Sequence, residues 1–148
     1  MPLVLLYPAI VLAGFLQAFG NSMNAELNQS LRNPWLASLV SFLLILAFFV
    51  CAFAVSPRPL PTGDSLAAMP WWAPLGGLAG AVAVFLGLVF VAKIGAAAFN
   101  GTLITANIIA SLAIDHYGLF NMPEHPSGVF RIAGAFLMIA GIFLISRF

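Results

Sequence analysis

Long apolar stretches separated by short polar turns divide the chain into five segments, at about residues 3–31, 34–55, 71–92, 95–114 and 128–146. Each holds about twenty residues or more, which is what an α-helix needs to cross roughly 30 Å of hydrocarbon. The pattern predicts five transmembrane helices in a single domain covering residues 1–148. The first segment would reach about 43 Å as one helix, so its far end must emerge or the helix must tilt. The turn LRNPW closes it, with Asn33 placed as N-cap of the second helix and Pro34 as its first residue. Residues 56–70, SPRPLPTGDSLAAMP, form the one long connection, and three prolines before Gly63 exclude a helix there. Ser127 is placed as N-cap of the last helix.

Polar side chains interrupt this pattern on particular faces. In the fourth segment, Asn100, Asn107, Ser111 and Asp115 fall inside one arc about 80° wide, with Thr102 and Thr105 far from it. In the second half of the first segment, Gln17, Asn21, Asn24 and Asn28 form a stripe about 60° wide, and Glu26 lies on the opposite face. A polar group in hydrocarbon needs a partner, so both faces are expected to look inward, toward other helices or a wet cavity. Ser38 and Ser41 are read as bonding back to their own helix carbonyls. Gly76, Gly80, Ala83 and Gly87 lie on one face of the third segment, a small-residue stripe that lets another helix approach closely.

Composition reinforces the membrane reading. The chain is 63% apolar and only 6% charged, with a mean hydropathy of +1.11, whereas about a quarter of the residues of a soluble domain carry charge. A net charge of +1 gives no footprint for nucleic acid. The single cysteine, Cys51, has no intrachain partner and reads as a small hydrophobe. The opening residues lack a basic region ahead of their apolar core, so the first helix is expected to be retained rather than cleaved. With five crossings, Arg32, Lys93 and Arg147 fall on one side, and Arg58 and Arg131 on the other. Such a near-even split is a weak orientation signal. It fits insertion both ways round and pairing with an inverted copy, or a chain that simply orients on weak cues.

The runs LQAFGNSMNAEL, NPWLASLVSF and PWWAPLGGLAGA, and above all KIGAAAFNGTLITANIIASLAIDHYGL, resemble the YdcZ family of small bacterial membrane proteins within the drug/metabolite transporter superfamily. The resemblance covers essentially the whole chain, and residues 111–119 are its most specific part. It implies an all-α integral membrane protein of the cell (inner/plasma) membrane, with five helices per subunit. It also implies dual-topology antiparallel dimers or fused ten-helix forms in several lineages, and kinship with the small multidrug resistance exporters. Carried over by position, Gln17 and Asn21 match the polar pair of the family's first helix, and Asp115 with His116 match its carboxylate–histidine pair. Two positions depart from the family pattern: Ala106-Asn107 stands where Gly-Gln is usual, and Ala92 where Pro is usual.

The expected function is a secondary transporter subunit working as a ten-helix inverted homodimer, partnered by the bilayer and a small polar or amphipathic organic solute. Gln17, Asn21, Asn24, Asn100, Asn107 and Ser111 are its candidate cavity residues. Asp115, His116 and Arg131 are read as an ion pair and helix-end anchor in preference to a proton-coupling site. The rival readings are a structural or accessory membrane protein, whose amides only join helices, and a passive channel. No cofactor, metal or enzymatic chemistry is expected. The spacing of Asp115, His116, Glu124 and His125 fits no metal motif, and no nucleophile elbow, P-loop or dinucleotide fingerprint is present.

Overall fold

A computed structural model describes Val4 and residues 6–147. Among these the chain forms α-helices and no strand: α1 (Leu6–Leu31), α2 (Pro34–Val55), α3 (Gly63–Ala67), α4 (Leu75–Ile94), α5 (Ala96–Tyr117) and α6 (Val129–Arg147), with a 3-10 turn at Leu119–Asn121. Four helices, α2, α4, α5 and α6, are long and apolar enough to cross a membrane. The 26 residues of α1 would also reach across, about 39 Å at 1.5 Å per residue, but its amides dilute its apolar character. Leu3, where the first expected span begins, lies outside the described residues.

The chain divides into two compact units, the first ending at Lys93 and the second beginning at Ile94. In the first, α1 packs on α2. Their turn forms as its sequence dictates. The Asn33 side chain accepts hydrogen bonds from Trp35 N (3.1 Å) and Leu36 N (3.2 Å), and Pro34 takes the first helical position. The long connection differs from expectation. Its prolines leave residues 57–61 outside any helix, but one short helix, α3, forms directly after them, capped by Thr62 Oγ1 on Ser65 N. The expected third span, at residues 71–92, is shifted: from Pro70 the chain runs in tight i→i−3 turns that continue into the first turn of α4, which begins at Leu75. Pro70 and Pro74 lack the N–H that a regular helix would need there.

In the second unit α5 packs on α6. Gly101 makes the close approach possible, since a methyl group there would run into Cδ1 of Ile142. Gly101→Ala is expected to be nearly neutral, because the atom it meets is the movable end of a side chain. Gly101→Val puts a second, branched carbon into the contact and should destabilise the pair by about 1–3 kcal/mol, read as a lowered unfolding midpoint in detergent.

The described core is small. Ala25, Ala37, Leu88, Val91, Phe99 and Ala135 are its buried apolar residues, and Leu88 is the one large side chain wholly enclosed. Leu, Ile and Phe side chains stand exposed along α1, α2, α4, α5 and α6, including Phe15, Leu44, Leu78, Ile108 and Phe136. Exteriors of this kind suit hydrocarbon rather than water. The small-residue stripe of α4 is used within its unit only at one end: Gly87 is buried and Ala83 half-buried, whereas Gly76 and Gly80 are exposed, with nothing near the place a Cβ would occupy.

Candidate solute-facing site

Each short polar side chain in these helices faces a choice between its own helix carbonyl and something further away. Several take the local option. The hydroxyls of Ser38, Thr102 and Thr105 donate to Pro34 O, Ala98 O and Gly101 O, each at 2.8 Å. Asn100 Nδ2 does the same to Ala96 O at 2.8 Å. The three hydroxyls are satisfied locally, whereas the Asn100 amide is engaged in a further interaction as well.

Asn107 is different. It lies at the middle of α5, which at 22 residues is about 33 Å long, so a membrane-crossing α5 sets this amide near the midplane. The side of α5 that meets α6 carries Gly101, Ile104, Thr105, Ile109 and Leu112, and its centre lies about 115° around the helix from the arc of Asn100, Asn107 and Ser111. Asn107 and Ser111 are accordingly exposed, and neither side chain hydrogen-bonds another described residue.

The amides of α1 occupy graded environments within the first unit. Gln17 is exposed, Asn24 half-buried, and Asn21 only 8% exposed and engaged in an interaction. Asn28 reaches across to α4, where its Nδ2 donates to Leu88 O at 2.8 Å. That bond joins residues 60 apart in sequence and ties α1 to the most buried point of α4. Glu26 is exposed.

At the far end of α5 the sequence-selected charges lie within a capped hairpin. Gly118 ends the helix in the left-handed conformation (φ 58, ψ 33), its N–H bonded to Ile114 O. The loop then folds back. His125 N donates to Asp115 O (2.7 Å), Ser127 N to His116 Nδ1 (3.2 Å) and Ser127 Oγ to Leu112 O (3.3 Å). Arg131 Nη1 lies 3.6 Å from Asp115 Oδ2 and donates to His125 O at 3.3 Å. The ion pair is half in water, with side-chain exposures of 47% and 36%, so it contributes at most about 1 kcal/mol. Backbone bonds hold this hairpin more than its charges do. Ser127, placed from sequence as the cap of α6, instead fastens the loop to α5, and the Gly128 carbonyl accepts from Arg131 N and Ile132 N in the first turn of α6. Among the described residues no three His, Cys, Asp or Glu side chains are grouped to hold a metal ion.

Two structural residues escaped the sequence reading, Gly101 and Gly118. The signal for Gly118 was available, a glycine directly after the last periodic residue of a helix. For Gly101 the signal was a lone glycine inside an apolar helix, which does not say which neighbour needs the space.

A family model described as "Putative inner membrane exporter, YdcZ" matches residues 5–144. The chain therefore belongs to that family and is a multi-pass protein of the inner membrane. No curated protein and no solved structure matches it.

Proposed function

We propose that this member of the YdcZ exporter family is a secondary transporter subunit, moving a small polar or amphipathic organic solute by alternating access. Its working form would be an antiparallel homodimer in which α1 crosses the membrane as a fifth span. The observation that carries the reading is Asn107: an exposed amide at mid-helix, turned away from α6 and without a hydrogen-bond partner among the described residues. Facing lipid, such a group would cost several kcal/mol, so something polar must meet it. A water-filled, solute-binding cavity built from this face and its symmetry mate supplies that partner, in keeping with the inverted-repeat plan of many transporters. The lining offers neutral amides and hydroxyls, which favours an uncharged polar group on the solute. No carboxylate lies in the middle of a helix facing this arc. Glu26 lies late in α1 on the side opposite its amide stripe, which leaves proton antiport without an obvious residue.

The rival, a protein whose amides merely join helices, has one observation in its favour: Asn28 is already used in that way on Leu88 O. Solvent access separates the two readings. In a Cys51→Ser background, a thiol introduced by Asn107→Cys is expected to react with a membrane-impermeant maleimide. One introduced by Thr105→Cys, on the buried α6-facing side, is expected to stay protected. Equal protection of both would mean a dry seam and would remove the cavity.

A further inference from the structure

A groove between α2 and α4, inside the first unit, is separate from the polar arcs. It has a volume of about 260 Å³ and is lined by Trp35, Ser38 and Phe42 on one wall and by Leu78, Val82 and Phe85 on the other. The one hydroxyl in it, that of Ser38, already donates to Pro34 O, so the groove presents hydrocarbon almost throughout. On each helix the lining spans eight residues, seven steps and about 10.5 Å of rise, which is less than the roughly 15 Å depth of a single leaflet. The Trp35 and Phe85 rings pack with centroids 4.7 Å apart. With that pair at one end, Phe42 and Leu78 line the same groove only if the two helices run antiparallel. The C-terminal end of α4, with Lys93, therefore lies at the Trp35 end, where the α1–α2 turn places Arg32.

These two cations are exposed, and among the described residues no carboxylate lies within ion-pair distance of either. Lys93 Nζ lies 5.5 Å from the ring centroid of Phe90 on its own helix. Glu26, the acid nearest in sequence, sits six residues before Arg32, about 9 Å further along α1. Arg32 stands at φ 51, a backbone conformation that glycine adopts without strain. Its N–H caps α1 on Asn28 O, a role that needs no side chain, so the guanidinium remains available.

We propose that this groove holds an acyl chain of an anionic phospholipid, with the lipid phosphate bound by Arg32 and Lys93. Trp35 marks the mouth at headgroup level, where tryptophan is enriched. The apolar slot continues inward for less than one leaflet. A helix from a second copy would be about 10 Å wide and would continue through both leaflets, which the slot does not. Each basic side chain near an anionic membrane surface is worth roughly fivefold in binding, so the pair sets a preference of roughly twenty-five-fold for an anionic lipid over a zwitterionic one.

The test uses the full chain with Trp71→Phe and Trp72→Phe, which leaves Trp35 as the only tryptophan. The protein is reconstituted in phosphatidylcholine vesicles containing either brominated phosphatidylglycerol or brominated phosphatidylcholine at equal mole fraction. Trp35 fluorescence is expected to report a relative affinity roughly twenty-five-fold higher for the phosphatidylglycerol. Arg32→Gln with Lys93→Gln should bring that ratio to unity while lipid contact persists. Ala81→Phe, which fills the groove wall, should reduce quenching by both lipids. Equal quenching by the two lipids in the parent protein would identify ordinary annular contact and overturn the proposal. A preference that survives loss of both cations would do the same. So would quenching that disappears as the protein-to-lipid ratio rises, since a second copy would then occupy the groove.

Discussion

Asn107→Ala is expected to lower transport efficiency about tenfold while leaving the unfolding midpoint close to that of the parent. The size follows from the role. A hydrogen bond from a cavity-facing amide to a solute, lost in the variant, leaves the solute's polar group unsatisfied at a cost of about 1–3 kcal/mol, and 1.4 kcal/mol is tenfold. The small stability change follows from the geometry, because Asn107 bonds no other described side chain or carbonyl. The opposite pattern marks a joining amide: an interhelical hydrogen bond in a membrane protein averages about 0.6 kcal/mol, and its loss would weaken the dimer without changing the affinity for solute. The measurement is efflux from proteoliposomes of a solute first identified by thermal-shift screening of small metabolites and cations. Thr102→Ala, whose hydroxyl already bonds to Ala98 O, serves as the control and should leave transport unchanged.

Gly118→Ala should cost stability on the same scale as Gly101→Val. An L-residue in the left-handed conformation costs about 1–2 kcal/mol, and here the added methyl would also sit 2.8 Å from Glu124 Cγ and 3.2 Å from Met122 O. The total is expected at about 1–3 kcal/mol, measured by denaturant unfolding in micelles. Adding Glu124→Ala should recover the side-chain part of the loss and none of the backbone part, because the φ of residue 118 is unchanged. Gly128→Ala is the matched control on the same loop: its position has a negative φ and open space around it, so no loss is expected. Together the three variants separate the cap from the charges around it, since Asp115 and Arg131 are untouched in each.

Much of the helical framework could be read from residue order. Asn33 and Pro34 start α2 because a side-chain acceptor and a proline suit a helix's first turn wherever they occur, and the structure places them there. The start of α4 was less legible, because Trp71 and Trp72 read as the opening of a membrane helix while Pro70 and Pro74 delayed it to Leu75. The hairpin after α5 illustrates a second limit. Ser127 has the chemistry of an N-cap, yet its hydroxyl reaches Leu112 O because the loop folds back along α5.

The site divides along the same line. Sequence alone set the arcs: helical periodicity puts Asn100, Asn107 and Ser111 on one face and Thr105 on another, whatever the helix packs against. It also set the membrane character, since a long apolar run in hydrocarbon must satisfy its backbone within itself. Tertiary structure decided which of those polar groups are already in use. Asn28 is bonded to Leu88 O on α4, Asn21 is buried, and Asn107 is turned away from α6. Periodicity does not separate these cases, because a hydrogen bond spanning sixty residues depends on where two helices come to lie. Only the packing sets that distance.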